Sequence, residues 1–272
     1  MSAFDLQAAT FDRRAGLLPE VRAAIAGAVL EIGAVEGKHR ILDLGAGTGD
    51  IGLELLSRGA SYRGVDVSSG MLAVFRQRAA AAGLVPDLVV ADAGVRWPAE
   101  DGSVRVVFGS RSLHWIDTAH LASETARVAL PEGAVLIIGR VVRAPDDPRE
   151  RIRAAMREFL REHGYEGRSG GGRAREGIAE CVRRGGRALP ARVAATWTVA
   201  RRPSASLADW RSKPGLAGRD VPEDVKASVL ADVLRFTNET FGNIEAPVDV
   251  TERYVLDGVE MVFPGGTGGG TR

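Results

Sequence analysis

With 272 residues, 45% of them hydrophobic, and a formal net charge of +1, the chain is long enough to bury one sizeable core and has no overall charge bias toward nucleic acid. Its lone cysteine, Cys181, excludes an intramolecular disulfide framework. The longest apolar run, around residues 134–138, is far short of the roughly 20 residues of a membrane span. With no basic start leading into an apolar stretch, the chain is expected to be soluble and cytoplasmic.

The apolar positions Val21, Ile25, Ala28, Val29 and Ile32 recur at helical spacing behind Pro19 and predict a helix over 19–32. A short apolar strand over 40–44 runs into the turn Gly45-Ala46-Gly47-Thr48-Gly49-Asp50, and a helix follows over about 48–57. A strand over 61–67 and a helix over 69–82 come next, the helix with Met71, Leu72 and Phe75 on one face and stopped by Gly83. The apolar run Val89-Val90 leads through Ala91 to Asp92 and Ala93, and the turn-rich segment 97–102 leads to a strand over 104–110. A helix over 119–129 and a strand over 134–142 complete an alternation that predicts right-handed crossovers and a parallel sheet.

Beyond this core the pattern changes. Helices are expected over 147–162 and 173–184, joined by a flexible linker at 168–172. Val193, Ala195, Trp197 and Val199 alternate on one face of a strand over 191–200. Helices over 206–211 and 223–241 and a strand over 251–263 follow, and the glycine-rich stretch 264–272 cannot bury enough surface to order itself. Between Arg140 and Arg187 there are thirteen Arg, no Lys and eight Asp or Glu. That surplus of cations is either a solvated helix face or a basic lid that recruits an anionic substrate.

The turn at 45–50 is where a cofactor is expected, because glycines at the carboxyl end of a parallel strand let the backbone approach a ligand closely. Its third glycine comes one residue too early for a dinucleotide fingerprint, and no Gly-Lys-Ser/Thr follows for a phosphate loop. Asp43 enters the turn and Asp50 leaves it; two carboxylates repel a pyrophosphate but suit a ligand carrying an amino group and a sulfonium. S-adenosylmethionine has both. Asp66 ends the next strand about 20 residues on, where a carboxylate can accept hydrogen bonds from both ribose hydroxyls, and Asp92 stands at the tip of the third strand.

The stretches ILDLGAGTGD, GVDVSSGML, VVADA, VVFGSRSLHWID and ARVALPEGAVLII resemble the successive motifs of class I S-adenosylmethionine (SAM)-dependent methyltransferases over roughly residues 4–142. Leu113-His114-Trp115 and the Arg-Val-Ala-Leu-Pro-Glu-Gly before the fifth strand look most like the small-molecule branch, which includes ubiquinone and menaquinone ring methyltransferases, trans-aconitate methyltransferase and the malonyl carrier-protein methyltransferase. The resemblance implies a Rossmann-like, seven-stranded, mostly parallel sheet with helices on both faces. It also implies a cofactor-covering segment at 1–18, a SAM-binding core at 19–142, an Arg-rich helical lid at 143–190, and strands six and seven with a second helical insertion at 191–263. The cofactor residues it implies are Asp43, Gly45, Ala46, Gly47, Asp66, Val67, Met71, Asp92, Ala93 and Ser110. Phe11 joins them as either a flap over the cofactor or an incidental aromatic in a mobile terminus, and Met71 lies either along the adenine or in the core.

Methyl transfer needs a protein base only when the acceptor must lose a proton. His114 is the candidate base, or else it braces its own loop; Arg111 either pairs with an acceptor carboxylate or forms a surface salt bridge. Trp115, Trp210 and Tyr254 are candidate walls of the substrate pocket. No His/Asp/Glu group has metal-ligand spacing, so no catalytic metal is expected. The expected activity is methyl transfer to O, N or C of a small organic metabolite, an anionic one included, with an RNA methyltransferase or a non-catalytic SAM-binding module as alternatives. A nucleic-acid partner is not favoured, and the sequence does not specify an oligomeric state.

Overall fold

The computed structural model describes residues 17–166, 172–212 and 215–261. Helix α1 (Pro19–Ile32) precedes β1 (Arg40–Leu44), α2 (Gly52–Ser57), β2 (Ser61–Asp66), α3 (Ser69–Ala81), β3 (Asp87–Val90) and β4 (Val106–Ser110). A 3-10 turn at Leu113–Trp115 leads to α4 (Thr118–Val128) and β5 (Ala134–Arg143). Then come α5 (Pro148–Glu162), α6 (Gly172–Arg183), β6 (Arg187–Arg201), α7 (Ser204–Arg211), α8 (Glu223–Phe241) and β7 (Val248–Met261).

The sheet is seven-stranded among the described residues, in the order β3-β2-β1-β4-β5-β7-β6. β1 pairs in parallel with β2 and β4, and the parallel run continues through β3 and β5. At the other edge, Arg140 pairs with Asp257 and Arg143 with Glu252, so β7 runs opposite to β5; Arg187–Glu260 and Arg201–Glu252 reverse β6 against β7 in the same way. Strand order reverses between β1 and β4. The crevice at such a switch point, beyond the carboxyl ends of the strands, is where α/β sheets bind ligands.

The parallel strands are apolar on both faces because helices cover both. Leu42, Leu44, Val65, Val107, Leu136 and Ile138 meet Trp97, Leu121, Cys181 and Val259 in one core. Burial pushes the Cys181 thiol up to about 11, which leaves it a packing group. Trp97, read from the sequence as a packing residue, is 1% exposed; its indole N–H donates to the Ala93 carbonyl at 2.9 Å and its backbone N–H to Glu124 Oε2 at 2.8 Å. Arg127 braces the same loop by donating to the Trp97 and Ala99 carbonyls and to Glu124. This network holds the segment after β3 against α4.

Several boundaries differ from the sequence reading. α2 starts at Gly52 rather than near Thr48, because residues 48–51 are spent in the turn; β4 starts at Val106, with Val104 making only an isolated bridge to Ala129. β6 begins at Arg187 and β7 at Val248, both earlier than alternation of apolar residues indicated. Most of the expected linker at 168–172, the stretch 1–16 with Phe11, and residues 262–272 lie outside the described residues.

The chain divides into two compact units. Described residues within 1–140, 171–195 and 254–272 form the first, and those within 141–170 and 196–253 the second. This divides the Arg-rich stretch 143–190. α6 goes with the first unit, where a Cβ on Gly177 would meet the Leu121 side chain at 2.6 Å, because Ile178 and Cys181 carry its apolar face into that core. The second unit has its own apolar cluster of Ile152, Met156, Leu160, Leu207, Val229 and Val233.

Candidate active site

A cavity of about 370 Å³ opens at the carboxyl ends of β1, β2 and β4. Its floor is the turn 43–48 with Asp50 and Ile51; its walls are Val65 to Val67 and Met71, Ala91 to Gly94, and Ser110 to Ser112 with Trp115 and Ile116.

The floor requires glycine for two separate reasons. Gly45 has φ +80° and a Cβ there would lie 2.3 Å from the Ser112 Cβ, while Gly49 has φ +85° and would drive a Cβ into the Phe75 ring. Ser112 comes this close because its hydroxyl donates to the Leu44 carbonyl at 2.5 Å. The loop after β4 is thereby tied to the end of β1.

Asp43 is 2% exposed. Its Oδ2 accepts from the Tyr62 hydroxyl at 2.8 Å, and its Oδ1 is buried without a partner among the described residues. Burial, helped by the nearby Asp66 charge and opposed by the Tyr62 hydrogen bond, pushes the Asp43 carboxyl up to about 7. The same burial and the Asp43 charge push the Tyr62 phenol well above its ordinary range. Asp50 is paired through Oδ1 with Arg22 of α1 at 3.4 Å and Arg78 of α3 at 3.3 Å, while its Oδ2 is, like Asp43 Oδ1, buried without a partner among the described residues.

Asp66 holds the geometry of the second wall. Its Oδ2 accepts from the Gly47 N–H and its Oδ1 from the Ser68 N–H, both at 2.9 Å, so the end of β2 is fastened to the glycine turn. Ser68 in turn caps α3 by accepting from the Met71 N–H at 3.1 Å, and Met71 is 3% exposed behind the cavity. Asp92 is exposed, with its Oδ1 accepting from the Gly94 N–H at 2.7 Å.

At the far wall Arg111 has φ +60°, an uncommon conformation for a residue with a Cβ, and its N–H donates to the Gly139 carbonyl at 3.1 Å. The Ser110 hydroxyl is 2.5 Å from that of Tyr254, which is fully buried behind it against Gly139. Burial raises the Tyr254 phenol to about 12, so it stays protonated. Trp115 is 68% exposed, and the His114 ring lies 5.0 Å from it.

Of the residues singled out in the sequence, Asp43, Gly45, Ala46, Gly47, Asp66, Val67, Met71, Asp92, Ala93, Ser110, Arg111 and Trp115 share this one cavity. His114 is on the adjoining 3-10 turn but does not line it; Trp210 packs against the apolar cluster of the second unit. Thr48, Ile51, Ser112 and Ile116 also line the cavity and were not anticipated. Ser112 has no local signal, since its place follows from contact with a residue 68 positions away.

Residues 41–133, which hold the floor and walls just described, match the model of a methyltransferase domain. Over that stretch the chain is similar to a methyltransferase domain. An uncharacterized methyltransferase of Mycobacterium tuberculosis is 35% identical to it over 100 residues, 37% of this chain and 39% of that protein. A demethylmenaquinone methyltransferase of Thermus thermophilus is 35% identical over 114 residues, 40% of this chain and 50% of that one. A malonyl-[acyl-carrier protein] O-methyltransferase of Serratia marcescens is 31% identical over 137 residues, half of each chain. The chain thus spans 39–50% of the length of these curated relatives. Among solved structures, a putative methyltransferase from Bacillus halodurans has a similar fold, with a TM-score of 0.55 at 16% identity over 88% of this chain and 99% of that one.

The residues of this segment fit SAM. Its cationic amino group needs an acceptor, and Asp43 offers a buried carboxylate oxygen that lacks a donor. The glycine floor leaves room for close approach, which any Cβ at Gly45 would remove.

Proposed function

We propose that the domain transfers a methyl group from SAM to oxygen, nitrogen or carbon of a small, anionic organic metabolite by in-line displacement. The observation that carries this reading is the convergence of the unpartnered Asp43 oxygen, the Asp66 carboxylate and the glycine turn on one cavity at the switch point of the sheet. When bound, SAM supplies an electrophilic methyl on a sulfonium, and the protein's task is to position and shield. Asp43 accepts from the amino group, Asp66 from the ribose hydroxyls, and Asp92, Ala93 and Met71 contact the adenine. Ser110 sits at the end of β4, with its hydroxyl fixed by Tyr254. Arg111 orients an acceptor carboxylate through its forked donors. Trp115 walls the acceptor side, and His114 takes the acceptor's proton where the acceptor has one to lose. Tyr254 shapes the acceptor side through its contact with Ser110.

The likeness of the matched segment to a quinone-ring and a carrier-protein carboxyl methyltransferase supports a small or tethered organic acceptor. The test is titration calorimetry with SAM and with S-adenosylhomocysteine, followed by an acceptor screen that begins with carboxylates and phenols. Micromolar binding of both nucleosides and turnover with an acceptor is the expected result. Binding of neither would remove the reading.

A further inference from the structure

Within the second unit, guanidinium groups crowd one face of α5. Arg149, Arg153 and Arg157 recur every four residues on α5, so they stand in one row on the helix surface. The neighbouring row, Ile152, Met156 and Leu160, is buried in the apolar cluster of that unit, which leaves the arginine stems half-buried. Arg143 at the end of β5 and Arg201 at the end of β6 add two more guanidinium groups, both of which repel Arg149.

Four carboxylates stand near this row. Glu150 is shared by Arg143 at 3.6 Å and Arg153 at 3.3 Å, and Glu252 is shared by Arg143 at 2.7 Å and Arg201 at 3.2 Å. Asp147 caps the helix by accepting from the Arg149 N–H at 2.8 Å, and Asp209 attracts Arg149 from α7. With these pairs made, no carboxylate among the described residues lies in ion-pair distance of the Arg149 or Arg157 guanidinium. Arg201 Nε is a buried donor with no partner among them. Burial, then repulsion by Arg143, Arg153 and Arg201, holds the Arg149 guanidinium below its ordinary range. A cation kept in such surroundings calls for an anion that the described residues do not provide.

We propose that the row Arg149, Arg153 and Arg157, with Arg201 beside it, is an oxyanion-binding site that takes a multivalent ligand of the di- or tricarboxylate or pyrophosphate kind. Planar forked donors spaced one helical turn apart match oxygens spread over two or three acidic groups. The site deepens the anionic-metabolite reading above and rests on it only for the identity of the natural ligand.

The test is calorimetry of the full chain, without SAM, against sodium pyrophosphate and separately against sodium citrate, at ionic strength held constant with sodium chloride. Saturable binding of either anion is expected, weakened roughly tenfold or more by Arg149→Gln and by Arg157→Gln, the loss of one charge-assisted contact. Arg161→Gln, on an exposed pair with Glu158, should leave it unchanged. Pyrophosphate alone would mark a phosphate-type ligand and citrate alone a carboxylate type. Unliganded Arg149→Gln should melt no lower than the parent, because an unpaired half-buried charge is removed, so weaker binding there would not reflect unfolding. Absence of saturable heat with both anions, or binding undiminished in both variants, would overturn the site. SAM titration of the same samples reports separately on the proposed function.

Discussion

Asp43 carries a carboxyl group into the core beside the cavity at the strand ends. Its folded-state value of about 7 lies above the ordinary 3.8, so the folded chain holds this proton more tightly than the unfolded chain does. The penalty for its buried charge is therefore complete above about 7 and fades as pH falls toward 3.8. The unliganded protein should gain thermal stability as pH is lowered through about 7, and Asp43→Asn should flatten that slope; a midpoint indifferent to pH in the parent would contradict the assignment. SAM affinity should move the other way, strengthening as pH rises through the same interval, because the ammonium group favours the ionised carboxylate. If Asp66 holds the ribose as proposed, Asp66→Ala should weaken SAM binding by about 2 kcal/mol or more, since the tie to Gly47 is lost along with those contacts. His114→Ala should lower turnover with SAM affinity nearly intact; equal losses in both would mean that the imidazole only braces its turn.

The next scale is that of the strand-turn-helix unit. Apolar Ile41, Leu42 and Leu44 define β1, and the three glycines mark the turn, both legible without any structure because each rests on local chemistry. What the turn packs against was not legible. Gly45 is required both by its φ of +80° and by Ser112, which arrives from the loop after β4. Gly45→Ala should cost about 1–3 kcal/mol in thermal or denaturant unfolding and abolish SAM binding. Adding Ser112→Gly should recover only the part due to the collision, leaving the backbone cost. The start of α2 lies later than expected for a related reason: residues 48–51 are committed to the turn, with the Phe75 ring against Gly49.

For the whole molecule, the division into two units is the feature that periodicity could not supply. The helices expected over 147–162 and 223–241 are found as α5 and α8, and they bury the rows Ile152-Met156-Leu160 and Val229-Val233. Leu160→Ala, at a fully buried position in that cluster, should destabilise the second unit by about 2–5 kcal/mol, measured by chemical unfolding. A change below about 0.5 kcal/mol would mean that the cluster is not close-packed. Conversely α6 is rich in Arg and Glu like α5 yet belongs to the first unit, because its apolar side finds Leu121 of α4.

The sequence by itself determined the alternation of strands and helices, the parallel half of the sheet, the glycine turn and the acids at the strand tips. Those features depend on residue periodicity, turn chemistry and the spacing of one strand from the next, all of which are short-range. The tertiary structure decided how the two carboxylates of the turn are held, pairing Asp50 Oδ1 with Arg22 and Arg78 and Asp43 Oδ2 with Tyr62, and leaving one oxygen of each without a donor among the described residues. It decided that Tyr254 lies behind Ser110 and that Ser112 closes on Gly45. It also decided which arginines of the basic stretch are paired and which are not. Each of these outcomes joins residues tens of positions apart, and their energies come from burial and Coulomb interaction at contact distance, which a linear pattern does not encode.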